Sequence, residues 1–124
     1  MSLRTPLGKV LGRGAAGEGV GHWWVQRLTA VALIPLTVSF VISLLGHSLQ
    51  SYAEMRAWLS QPWPALIAIL LILTLAWHSK LGVQVVIEDY VHDKGAKTLL
   101  LISSIFVHVA AAAVGVFAIL ALAL

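Results

Sequence analysis

His78, Gly82, Asp89 and Tyr90 follow one another at intervals of four, seven and one residues along a mostly apolar stretch. On an α-helix the steps from His78 to Asp89, at about 100° each, overshoot three full turns by about 20°. The imidazole and the carboxylate therefore share a helix face. Gly82, one turn beyond the imidazole, leaves that face bare where a flat cofactor could approach the backbone. Asp89 and Tyr90 arrive about 17–18 Å along the axis from His78, where the apolar stretch gives way to the charged segment 88–97. Such an imidazole can ligate a metal. A phenol beside a carboxylate there is a polar pair at the water boundary.

Each of these residues also has a plainer use. An imidazole inside an apolar stretch can be a helix–helix hydrogen bond, and a glycine can simply let two helices pack closely. Asp89 and Tyr90 can be ordinary residues of a membrane interface. Lys80 lies about 200° around the helix from His78 and is close enough to the charged end to snorkel. His108 stands ten residues beyond Thr98, and His78 ten before Glu88. Both are thus about 15 Å from the intervening polar loop, and two histidines at matched depth could ligate one haem iron within the chain. A hydrogen bond across the small residues 110–113 and Gly115 is the plainer expectation for His108. His47 falls at the opposite boundary, and His22 and His92 at the same boundary as the loop.

The elements that position these residues follow from composition. Of 124 residues 60% are hydrophobic and 10% charged, with a mean hydropathy of +0.94. A soluble domain carries about 25% charged residues, so the excess apolar surface must face lipid. Apolar stretches over 28–49, 64–87 and 98–124 each meet the roughly 20 residues needed to cross a bilayer as a helix. Continuous runs of this length do not suit strands. The expected architecture is all-α and integral to the membrane, with a basic, Gly-rich tail and interfacial approach over 1–27 and a three-helix anchor domain over 28–124. The tail lacks the apolar stretch of a cleaved secretory signal, and it is short and poor in Ser for an organelle transit peptide.

Arg4, Lys9, Arg13 and Arg27 precede the first span and Lys94 and Lys97 follow the second, whereas the loop over 50–63 holds only Arg56. The positive-inside rule then puts the N-terminus and the 88–97 loop in the cytoplasm. A net charge of +3 is accounted for by this orientation and does not point to nucleic acid. Trp23 and Trp24 at one boundary, and Trp58 and Trp63 at the other, suit aromatic interface belts. The absence of cysteine excludes disulfides and thiolate-held iron–sulfur clusters within the chain. With no aqueous domain, chemistry on a polar substrate falls to partner subunits.

The segment 77–91, with His78, Gly82 and the terminal Asp89-Tyr90, resembles the hydrophobic membrane anchor of succinate dehydrogenase, the D subunit of respiratory complex II. The segment 22–30, with Arg27 followed closely by Thr29-Ala30, resembles the same family where it enters its first helix. The resemblance covers nearly the whole chain, and the third span adds little to it. It implies half of a two-subunit haem-binding helical bundle, in a multi-pass protein of the bacterial inner membrane. It implies that His78 is one axial ligand of haem b, with the other ligand coming from a cytochrome b anchor subunit. Arg27 is then expected at a haem propionate, with His22 beside it, and Gly82 next to the macrocycle. Tyr90 is expected to donate to a ubiquinone carbonyl, and Asp89 to shape the quinone site and its proton access. An iron–sulfur subunit and a flavoprotein subunit would complete the enzyme, with succinate oxidised on the flavoprotein. A fumarate reductase anchor is a near neighbour of this reading. From the residues alone, a self-contained small b-type cytochrome using His78 and His108 stays open, as does a non-redox scaffold subunit.

Overall fold

In the computed structural model, residues 5–7, 19–47 and 51–124 are described. Four helices carry the fold: α1 (Gly19–Leu45), α2 (Tyr52–Leu59), α3 (Pro62–Tyr90) and α4 (Lys94–Ala123). Three of them can cross a membrane, over Val20–Leu45, Pro62–Tyr90 and Lys94–Ala123, with 26, 29 and 30 residues. At 1.5 Å per residue these are about 39–45 Å long, more than the roughly 30 Å hydrocarbon core, so their ends reach the headgroup region.

The three long helices occupy the three expected spans, but their ends lie elsewhere. α1 begins at Gly19, so His22, Trp23, Trp24 and Arg27, expected in the interfacial approach, sit on its first turns. The loop expected over 88–97 contracts to residues 91–93, because α3 runs through Tyr90 and α4 starts at Lys94. Apolar content sets where lipid begins, whereas helices end where backbone groups find other partners. At this turn Asp93 caps α4 by accepting from the Ala96 amide at 2.7 Å, and Lys97 donates to the Glu88 carbonyl in the last turn of α3 at 2.8 Å. The remainder of the tail, residues 1–4 and 8–18, lies outside the described residues. Pro35 is accommodated inside α1 at the loss of one backbone hydrogen bond, as membrane helices tolerate. Pro62 and Pro64 open α3, where a missing amide proton costs nothing.

The short helix α2 is an element that apolar periodicity did not announce. Ser51 and Glu54 form a reciprocal capping box at its start, with both bonds at 3.2 Å, which holds two otherwise orphaned amides. Trp58, expected to face an interface, is instead 2% exposed. Its indole Nε1 donates to Ser43 Oγ on α1 at 3.0 Å. With Leu59 and Ala68 it forms a small core packed against Phe40 and Leu44 of α1 and Ile119 and Leu122 of α4. An indole needs a polar partner for its N–H when buried, and Ser43 supplies one, so the ring turns inward. Trp63 remains exposed.

Among the described residues, α1 and α4 each pack along α3 and not along one another. No residue of α4 is buried, and side chains such as Phe106, Val114 and Phe117 are largely exposed. Those surfaces are covered by lipid or by other subunits. α3 is the central element, and the two histidines of matched depth must be sorted by which of its sides they meet.

Candidate functional site

The side of α3 that meets α1 gathers most of the chain's intramembrane chemistry. His22, Gln26 and Thr29 recur at four and three residues on α1, so they share a face. Thr29 Oγ1 lies 2.9 Å from His78 Nδ1 on α3. One turn further along α3, a Cβ added to Gly82 would meet only Gln26 Nε2, at 3.8 Å. His22, Gln26, Thr29, His78 and Gly82 thus form one continuous helix–helix surface. Its polar atoms are incompletely satisfied: His22 Nε2 and Gln26 Oε1 are buried without a hydrogen-bond partner. Buried polar atoms of native proteins are nearly all paired, so these two stand out on this surface. His78 Nε2 likewise carries no hydrogen bond among the described residues.

His108 is placed differently. Its depth matches that of His78, since its Nε2 lies 3.2 Å from Ser79 Oγ, the residue next to His78. Its azimuth does not match, because that contact lies between α3 and α4. Its Nδ1 bonds the Ser104 carbonyl at 2.7 Å, so both ring nitrogens are engaged. The hydrogen bond across small residues is therefore what the structure contains. Gly115 is one of those residues, with a Cβ there falling 3.0 Å from Ile72 Cγ2 and 3.2 Å from Cδ1. Beside it opens an apolar cleft of about 470 Å³ lined in part by Trp77, Lys80, His108 and Ala112, on the side of α3 away from His78. Lys80 crosses the rim of this cleft, 5.7 Å from the Trp77 ring centroid. It donates to Gln84 at 3.0 Å, and Gln84 donates to Glu88 at 2.8 Å. The ammonium is thus led along the helix toward its charged end, as snorkelling requires.

The unbroken run of α3 from Pro62 to Tyr90 keeps Asp89 on the His78 face and sets Tyr90 in the last turn. Both are exposed, and Tyr90 Oη has no hydrogen-bond partner among the described residues. Arg27 is not brought to the His78 surface within this chain. It is exposed and stacks 5.4 Å over Trp23, one turn earlier on α1, itself edge-on to Trp24 at 5.1 Å. Sequence reasoning had singled out His22, His78 and Gly82 but passed over Gln26 and Thr29. Their signal was the helical spacing from His22, visible only if α1 is taken to start before its apolar run.

A flat cofactor with a ligatable metal and polar edge groups fits this surface: a half-buried imidazole with a bare nitrogen, a glycine beside it, and two unmet polar atoms one and two turns away on α1. Known proteins resemble the chain over nearly its whole length. The model for the succinate dehydrogenase/fumarate reductase transmembrane subunit matches residues 1–121. The chain is 33% identical over 106 residues, 86% of its own length and 82% of the relative's, to the succinate dehydrogenase hydrophobic membrane anchor subunit of Paracoccus denitrificans. It is 30% identical over 102 residues to that of Rickettsia bellii, covering 82% of this chain and 81% of the relative. It is also 31% identical over 84 residues to the succinate dehydrogenase membrane anchor subunit of Reclinomonas americana, covering 65% and 68%. No solved structure matches. A match over nearly the full length, joined to three apolar helices, shows that the chain belongs to the succinate dehydrogenase/fumarate reductase transmembrane subunit family.

Proposed function

We propose that this membrane anchor subunit supplies His78 as one axial ligand of a haem b, and Tyr90 with Asp89 as part of the site where ubiquinone is reduced. The other axial ligand comes from a cytochrome b anchor subunit. Electrons reach the site from succinate oxidised on a flavoprotein subunit, by way of an iron–sulfur subunit. Haem bound at His78 would supply a one-electron redox centre within the membrane. The observation that carries the reading is the bare Nε2 of His78, beside Gly82 and the unpartnered His22 and Gln26.

The residues of this chain have distinct tasks in that scheme. His78 presents an imidazole nitrogen, a standard ligand of haem iron. His22 and Gln26 offer polar atoms to the cofactor's edge, and Arg27 can leave Trp23 to meet a propionate when a partner encloses that surface. At the end of α3, Tyr90 donates from its hydroxyl to a quinone carbonyl as negative charge develops on that oxygen. Asp89 borders water and gives protons a short way in.

A self-contained cytochrome ligated by His78 and His108 has less support, since His108 has both nitrogens occupied and lies between α3 and α4. The assembled complex, purified in mild detergent, tests the proposal through its reduced visible spectrum. His78→Leu should abolish or alter the low-spin six-coordinate signature, whereas His108→Leu should leave it intact. The chain expressed alone should not hold stoichiometric low-spin haem. A bis-histidine spectrum from the isolated chain, lost in either variant, would replace this reading with the self-contained cytochrome. A complex devoid of haem would remove the ligand role from His78, leaving the quinone role of Tyr90 to its own test.

A further inference from the structure

We propose that Thr29 is the positioning residue for the His78 imidazole, fixing its tautomer and raising its donor strength from a neighbouring helix. The inference rests on the reading of His78 as a haem ligand. Thr29 Oγ1 lies 2.8 Å from the Val25 carbonyl and 3.0 Å from the Gln26 carbonyl, both on its own helix. Carbonyl oxygens are acceptors only, and the one hydroxyl proton of Thr29 has two of them within reach on its own helix. We place that proton on α1, where either carbonyl can take it or both can share it. What remains on Oγ1 is a lone pair, and His78 Nδ1 sits 2.9 Å from it. With the hydroxyl proton on α1, the matching tautomer has the ring's proton on Nδ1, donated to Thr29.

The consequence is chemical. A neutral imidazole protonated on Nδ1 has its free lone pair on Nε2, the atom that has no partner among the described residues. Back-bonding of a threonine to its own helix needs no contact with α3. The added bond to His78 is what makes this hydroxyl more than a filler of helix valences. It holds the ring by one edge and turns the other, unprotonated edge away from α1. A hydrogen bond accepted from the remote nitrogen of a ligating histidine makes the ligand more basic, and such partners typically affect metal affinity about 10–100-fold. A more basic ligand favours the ferric over the ferrous state, so Thr29 should lower the haem's midpoint potential.

The test uses the assembled complex with Thr29→Val, which keeps the branched shape and removes the hydroxyl, and Thr29→Ser, which keeps the hydroxyl. Redox titration of the haem and transfer of haem to apomyoglobin are the readouts. Thr29→Val should shift the midpoint potential in the positive direction and release haem about 10–100-fold more readily. Thr29→Ser should restore both. A merely structural role would leave the potential of the haem-loaded fraction unmoved. Thr29→Ala repeats the comparison with no added bulk, should the valine variant not assemble. A wild-type potential and wild-type haem retention in either hydroxyl-free variant overturns the proposal. His78→Leu separates the two levels: a six-coordinate haem that survives this substitution overturns the ligand assignment itself, whatever the Thr29 variants do.

Discussion

Tyr90 projects from the last turn of α3 with 77% of its surface exposed, and no other described residue engages its hydroxyl. Tyr90→Phe keeps the ring and removes one donor, so the expected outcome is slower quinone reduction by the assembled complex. Succinate oxidation through an artificial acceptor, which draws electrons before the membrane, should stay nearly unchanged. Equal loss in both assays, or in neither, would remove Tyr90 from the quinone site. Much at this scale is legible from residue types and helical arithmetic. An imidazole, a glycine and an Asp-Tyr pair can be placed on one face without coordinates, and the depth of His108 can be matched to that of His78. What the arithmetic lacks is the direction in which each helix faces its neighbours. Depth follows from counting along one helix, but azimuth depends on which neighbour each side meets, and so the separate engagements of His78 with Thr29 and His108 with Ser79 emerge only in three dimensions.

At the scale of elements, two glycines of similar setting have opposite uses. Gly115 lets α4 approach α3, since a Cβ there would lie 3.0 Å from Ile72 Cγ2. Gly82 opens no such approach within the chain, its nearest prospective contact being Gln26 Nε2 at 3.8 Å. Gly115→Val should therefore destabilise the bundle by about 1–3 kcal/mol through overpacking. Gly82→Ala should gain about 0.5–1 kcal/mol of helical preference instead, yet disturb the haem spectrum if a macrocycle lies against that backbone. Thermal unfolding of the two variants, with the spectrum recorded alongside, checks both. A Gly82→Ala complex that melts early would make Gly82 a packing glycine after all. Three long apolar stretches announced the three long helices because lipid demands them. The capped helix α2 was hidden because its eight residues are mostly polar or small, with Trp58 and Leu59 alone buried. About two turns of helix are too short to establish a period.

For the whole molecule, an odd number of crossings in a multi-pass protein of the bacterial inner membrane puts the described end of α4 across from the start of α1. The basic residues decide which is which: Arg27, Lys94 and Lys97 flank one boundary and Arg56 alone lies at the other, so the turn at 91–93 should be cytoplasmic. Reporter fusions check this: a cytoplasmic reporter should be active within that turn and inactive after Leu124. Activity at Leu124 would invert the topology and move Tyr90 to the wrong side for protons drawn from the cytoplasm. Charge alone gives that expectation, whereas the packing order, with α3 between α1 and α4, could not be expected from sequence, since all three helices are apolar nearly all round.

Trp58 joins α1 and α4 at one end of the bundle through Ser43, Phe40, Ile119 and Leu122, while the polar surface of His22, Gln26 and His78 lies toward the other. In biogenesis this separates two clocks. A freshly inserted chain can clasp its spans at the far end with its own side chains, before any other subunit has arrived. The near end keeps buried polar atoms, on His22 and Gln26, that no partner among the described residues satisfies. An orphaned subunit would then be folded well enough to persist briefly and incomplete enough for membrane proteases to distinguish it from one that has found its complex.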